Sequence, residues 1–268
     1  MNNRLKEIES LSEKINHLLA CDIHLHTESI ANTKALGMNI RQTTITETTY
    51  QGDESFTETV STSMFFSSAI RTYDHNDSTI IEYRGKTPEE MNASSPKTYT
   101  YDEYIRLYGK LPKKEYHINT LPLEGDSLVN EAYIKEEKGK RIIGLFNEDL
   151  NQDTISSIEV KDKTILVRLD QKNALSHLAI SIRNNGDFDS FPSFRKAEMD
   201  FLLDENDEIE SYTSRLDYKI KWGFVTLDIS QEAKTEIKKI KKKFLVFIKE
   251  QDNDSIKVCP TPRTSSGS

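Results

Sequence analysis

The stretch Arg215-Leu216-Asp217-Tyr218-Lys219-Ile220-Lys221-Trp222-Gly223-Phe224 places a large apolar side chain at every second position, with charged residues or glycine between. A period of two marks a β-strand with one buried and one wet face, because successive side chains leave a pleated strand on opposite sides. Burial of one face also pins the register, since a slip of one residue would turn every apolar group to water. Past Gly223 the phase changes, and Val225, Leu227 and Ile229 continue the apolar series. Glycine at a phase change predicts a β-bulge or a bend in a curved sheet.

Upstream, Ala197, Met199, Phe201 and Leu203 alternate with Glu198, Asp200 and Leu202, and Asp204-Glu205-Asn206-Asp207 has turn chemistry. Two earlier hairpins are expected, at 158–169 about Lys161-Asp162-Lys163 and at 133–146 about Lys138-Gly139-Lys140. A short helix is expected near 148–157. From residue 22 to 84 the composition turns to Thr, Ile, Val, Phe and Tyr, broken by Gln51-Gly52-Asp53 and His75-Asn76-Asp77. Residues 42–50 and 55–63 are rich in Thr and Ser, which favours exposed strands. Nothing there alternates with helices, so a parallel βαβ arrangement is not expected.

The ends read as helices. Leu5, Ile8, Leu11, Ile15, Leu18 and Leu19 recur at spacings of three and four, as do Ala233, Ile237, Ile240, Phe244, Phe247 and Ile248. On the second helix, Lys238 to Lys243 would form a solvated lysine face. Between the two sets of strands, residues 85–126 hold Pro88, Pro96, Pro112 and Pro122 and read as an irregular bridge or lid, with a short helix at 101–108. The expectation is a single α+β domain over 1–258: helix 1–20, first meander 21–84, bridge 85–126, second set of strands 127–230 and helix 231–250. Its sheet is curved, mainly antiparallel and open, a half-barrel packed with amphipathic helices. Residues 259–268 read as a disordered polar tail.

Composition narrows the function. A net charge of −8 and a pI near 5.4 argue against nucleic acid, which needs a concentrated basic surface. Cys21 and Cys259 show no metal-binding spacing. No run reaches the ~18 apolar residues of a membrane span. Leu18-Leu19-Ala20-Cys21 resembles a lipobox, but Lys6, Glu7, Glu9, Glu13 and Lys14 stand where an apolar leader segment is needed. The expected location is the cell envelope or outside the cell if a leader was removed before Met1, and otherwise the cytoplasm. The acids at Asp200, Asp204, Glu205, Asp207 and Glu208 lack the ligand order of a calcium loop and read as a charged turn. No nucleophile elbow, phosphate loop, dinucleotide fingerprint or zinc-protease motif is present, so no catalytic residue, metal or cofactor is expected.

Asp22-Ile23-His24-Leu25-His26-Thr27 resembles the opening motif of PHP-type metallophosphoesterases. That resemblance implies a metal-dependent phosphoesterase with His24 and His26 as ligands. The chain departs from the family downstream: Thr44-Ile45-Thr46-Glu47 stands where a Thr-Asp-His step would be, and His17, His75, His117 and His177 form no His-plus-acid clusters. Read as a strand, the same residues turn Ile23 and Leu25 inward and both histidines to solvent.

A second resemblance covers more of the chain. The helix to Leu19, the strand from Asp22 to Ile30, residues 38–49 and 56–64, and the late stretch "AEMDFLLDENDEIESYTSRLDYKI" are similar to LolA/LolB-like and LppX/LprG-like half-barrel proteins of the bacterial envelope. The resemblance implies a non-enzymatic binding protein whose concave sheet carries or senses a lipid-like ligand. Met199, Phe201, Tyr218, Ile220 and Trp222 would then face the ligand, and the expected partner is an amphiphile or an envelope protein. An interaction module using Thr-rich strand edges is the remaining alternative.

Overall fold

The computed structural model describes residues 3–75, 79–101, 103–104, 143–145, 150–171, 174–175, 178–179, 182–183 and 188–240. Strands β1 (Ile23–Ala35), β2 (Met38–Gln51), β3 (Glu54–Ser63), β4 (Ser67–His75), β5 (Thr79–Gly85) and β6 (Lys97–Thr100) meander outward from the centre of one sheet. Strands β7 (Ile155–Lys161), β8 (Thr164–Leu169), β9 (Ser193–Leu203), β10 (Ile209–Trp222) and β11 (Val225–Lys239) meander inward from the opposite edge. The two halves meet where β1 pairs antiparallel with β11, from Ile23↔Lys239 to Lys34↔Asp228. An open, eleven-stranded antiparallel sheet results, with β6 and β7 as its edges.

Helix α1 (Asn3–Leu19) buries Ile8, Leu11, Ile15 and Leu18 against what we call the inner face. They share one core with Ile23 and Leu25 of β1, Ile165 and Val167 of β8, Met199 and Phe201 of β9, and Tyr212, Leu216, Tyr218 and Ile220 of β10. The period of two read from β9 and β10 is therefore what builds the main core. Helix α2 (Pro88–Ala93) covers the opposite, outer face at the other end of the sheet, where Met91 packs with Ala69 and Tyr83. Thr87 caps it by accepting from the Glu90 N–H, Glu90 in turn accepts from the Lys86 N–H, and proline opens the first turn.

Several expectations change. Residues 231–239 are strand and not helix, because Leu227, Ile229, Ala233, Thr235 and Ile237 also fit a period of two, and β11 satisfies the open edges of both β1 and β10. Lys238 and Lys239 are thus strand residues, and 241–250 lie outside the described residues. Gly223 makes no bulge: with φ of 59° it turns a two-residue hairpin closed by the Trp222↔Val225 pair. The helix expected near 148–157 is replaced by a turn, in which Asn151 Oδ1 accepts from the N–H groups of Asp153 and Thr154, followed by β7. The bridge contributes α2 and β6, and Tyr101, Glu103 and Tyr104 are helical as expected. The hairpin at 133–146 lies almost wholly outside the described residues, as do the remainder of 101–108 and the polar tail. The turns at Gly52-Asp53, Asp162-Lys163 and Asp204–Asp207 stand where the sequence placed them.

Candidate functional site

Directly opposed residues in an antiparallel pair share a face, so the registers map each side of the sheet. Under α1 the inner face is apolar. Across β11, β1, β2 and β3 it becomes a field of hydroxyls. One row runs Thr235, Thr27, Thr46, Thr59, and the next runs Ala233, Ser29, Thr44, Ser61, reaching Ser68 on β4. A third begins apolar with Ile237 and Leu25, then continues Thr48, Thr57, Thr72.

Within these rows the side chains bond across strands. Thr27 and Thr235 hydroxyls stand 2.9 Å apart, Thr44 and Ser61 3.0 Å, and Thr46 and Thr59 3.3 Å. Gln42 donates to Thr44 at 3.3 Å and Gln231 to Ser29 at 3.1 Å. Each hydroxyl offers one donor and two acceptor sites, so a neighbour satisfies only part of its capacity. The remainder can meet a polar group lying along the face. Thr44, Thr46, Thr48, Thr57 and Thr59 are all half-buried. At the far end Glu82, whose side chain is fully buried, accepts from Arg84 at 2.5 and 2.7 Å. Tyr104 stands nearby, its phenol pushed up to about 12 by burial first and by the Glu82 charge second.

The residues put forward from sequence divide. Met199, Phe201, Tyr218 and Ile220 are buried in the main core, and burial pushes the Tyr218 phenol up to about 12. Besides α1, Gly144 closes over Met199 and Phe194 packs on Tyr218, so a ligand reaches these four only if that cover moves. Trp222 shares their face but stands 60% exposed at the end of β10. The alternative of Thr-rich edges is corrected: β2 and β3 are interior strands paired on both sides, and the edges belong to β6 and β7.

His24 and His26 point to the outer face, as the alternation predicts. Glu47 of β2 lies between them, with His26 Nδ1 2.6 Å from Oε1 and His24 Nε2 2.9 Å from Oε2. The second contact is a close approach rather than an aligned hydrogen bond, since that buried oxygen makes none. His24 Nδ1 lies 2.9 Å from the Thr49 hydroxyl, and His26 Nε2 lies 3.4 Å from Glu28. Every ring nitrogen of the pair therefore has a protein neighbour, and the cluster ties β1 to β2. Among the described residues no group of three His, Cys, Asp or Glu side chains could hold a metal ion.

The hydrogen bond to Glu47 raises the His26 pKa above its ordinary 6.5, with burial opposing. A raised folded-state value means that this stabilisation is fully present below the unfolded pKa and fades as pH rises through the folded one. Urea midpoints should therefore fall as pH rises from near 6.5 through the folded-state value. Glu47→Gln should flatten that dependence, and an unchanged slope in the variant would contradict the assignment.

A cleft of about 220 Å³ lies between α1 and the β9–β10 turn, lined by Glu13, Lys14, His17, Asp207, Glu208 and Lys239 among others. Its ions are paired, Lys14 with Asp207 and Lys239 with Glu208 at 2.5 Å, so it serves as a clasp for the helix.

No family model matches the chain, and no curated protein matches it. A DUF1329 family protein from Desulfovibrio piger superposes with a TM-score of 0.28 at 7% identity, over 86% of this chain and 92% of its own. An S-type phycobiliprotein lyase from Guillardia theta superposes with a TM-score of 0.24 at 8% identity, over 90% and 100%. At TM-scores this low neither neighbour assigns a function to this chain.

Sequence reasoning missed the hydroxyl rows. Their signal was the period of two within Thr44, Thr46, Thr48 and within Thr57, Thr59, Ser61. Only the register could show that these positions line up side by side.

Proposed function

We propose that the chain is a non-enzymatic binding protein of the bacterial envelope that holds a lipid-like amphiphile along the inner face of its sheet. The observation that carries this reading is the half-buried hydroxyl field continuous, on one face, with the apolar core. A polar head or glycosyl group would bond to Thr44, Thr46 and Thr59, while an apolar chain would lie toward Leu25 and Ile237. Deeper entry, toward Tyr218, Ile220, Met199 and Phe201, would require the cover of the main core, α1 included, to move. The ties of His24 and His26 to Glu47, Thr49 and Glu28 favour this over a PHP-type phosphoesterase, because a metal would have to displace Glu47 from both rings. A lipid-like partner accords with an envelope location.

Titration of the detergent-free full chain with a fluorescent fatty acid tests the reading. Saturable binding is expected. The triple variant Thr44→Val, Thr46→Val, Thr59→Val keeps side-chain shape and removes three hydroxyls, and should weaken binding by roughly tenfold or more at ~0.5–1.5 kcal/mol per hydrogen bond. No saturable binding to the wild type would sink the proposal.

A further inference from the structure

Three hairpin turns project from the same end of the sheet, between neighbouring strands in the order β4-β3, β2-β1, β11-β10. Their closing pairs are Thr62↔Ser67, Ala35↔Met38 and Trp222↔Val225. Each carries large apolar side chains out into solvent. The first has Met64, Phe65 and Phe66 at 74, 62 and 49% exposure, the second Leu36 and Met38, and the third Trp222 and Phe224, the latter 95% exposed. Soluble surfaces scatter such residues singly; a concentration at adjacent tips marks an interaction site.

We propose that this end of the sheet docks on an anionic lipid bilayer, with the three tips inserted among the headgroups. Shape is the first argument. The tips are separate convex fingers, which suit a soft interface better than a preformed protein pocket, and tryptophan and phenylalanine are side chains that partition there. Charge is the second. The chain carries a net −8, yet residues 32–42, 62–68 and 219–228 hold Lys34, Arg41, Lys219 and Lys221 against the single carboxylate of Asp228.

All four cations are exposed and share the outer face just behind the tips. Asp228 is itself paired to Arg195, whose Nη1 lies 3.0 Å from Oδ2, and its pKa is lowered chiefly by that bond, with Lys219 and Lys34 adding to it. Asp189, also nearby, accepts from the Gly223 N–H and so braces the third tip. A local excess of cations on an acidic protein complements anionic headgroups. The tip side chains and the four cations are not part of the hydroxyl rows, so this inference stands or falls without them.

Trp222 is the sole tryptophan of the chain, so its fluorescence reports the third tip directly. The full chain is mixed with vesicles of phosphatidylcholine alone or of phosphatidylcholine with phosphatidylglycerol at 3:1. On the anionic vesicles the chain should co-sediment, with Trp222 emission shifted to the blue and shielded from acrylamide. Phe65→Ala, Phe66→Ala and Phe224→Ala together should lower partitioning by on the order of 100-fold. Circular dichroism should not change, because all three side chains are exposed. Lys34→Gln, Arg41→Gln, Lys219→Gln and Lys221→Gln together should abolish the preference for anionic over neutral vesicles. Unchanged Trp222 emission, equal binding to both vesicles, or full binding by the phenylalanine variant would each overturn the proposal. So would shielding of Trp222 by concentration-dependent self-association without lipid.

Discussion

Replacing Phe201 with alanine should cost about 3–5 kcal/mol of folding stability. Phe201 is the largest fully buried side chain among the described residues and belongs to the main core of the inner face. It opposes Tyr212 on β10, with ring centroids 6.0 Å apart, and Ile165 on β8. Truncation removes apolar contact and leaves a void that two paired strands cannot collapse to fill, because their ladders fix the backbone on either side. The measurement is the urea midpoint at constant m-value. A loss below about 1 kcal/mol would mean that the space beneath α1 is already loosely packed or occupied by something other than protein. As a control, Leu202→Ala on the same strand faces outward at 43% exposure and should change stability by no more than about 0.5 kcal/mol.

Gly85→Ala should have the second largest effect, and a local one. A Cβ at Gly85 would lie 2.3 Å from the Met91 backbone nitrogen and 2.8 Å from the Glu90 carbonyl carbon. Both are main-chain atoms of α2, so no rotamer change relieves the clash. The helix must lift from the sheet, uncovering Met91, Ala69 and Tyr83. A cost of about 1–3 kcal/mol is expected, with faster amide exchange confined to residues 87–94. Gly37→Ala is the contrasting case, since nothing lies within 4 Å there and its cost would come from a φ of 79° alone, with no effect on α2. Gly85 itself has no left-handed φ, so unchanged stability and exchange in Gly85→Ala would contradict the close approach of α2.

Much of this architecture was legible from local pattern. The stripe of Ile8, Leu11, Ile15 and Leu18 made α1, and the alternation of Met199 and Phe201 with charged partners made β9. The run to Trp222 gave β10 and its buried face. What failed was wherever two periods fit the same residues. Ala233, Ile237 and Ile240 satisfy a helix, yet Ile229, Ala233, Thr235 and Ile237 satisfy a strand. The deciding fact was a partner more than two hundred residues away in sequence, the edge of β1. Lysines at 238 and 239 favoured neither. For the same reason the glycine at 223 was readable as a point of change but not as a hairpin.

The candidate site was less legible than the fold. Apolar alternation picked out Met199, Phe201, Tyr218 and Ile220, because burial and ligand contact leave the same mark on a sequence. The structure buries all four in the main core. The hydroxyl rows need three registers at once to become visible, since no single strand shows that Thr46 sits between Thr27 and Thr59. The tips are similar: Phe65-Phe66 and Phe224 are far apart in the chain and come to the same end of the sheet only through the β1–β11 seam.

Binding of a fluorescent fatty acid to the full chain, purified without detergent, tests most directly whether the inner face holds an amphiphile. Saturable binding that the Thr44, Thr46 and Thr59 valine variant weakens by roughly tenfold is the expected result. A wild-type chain that shows no saturable binding would contradict it and leave the hydroxyl rows as cross-strand ties alone.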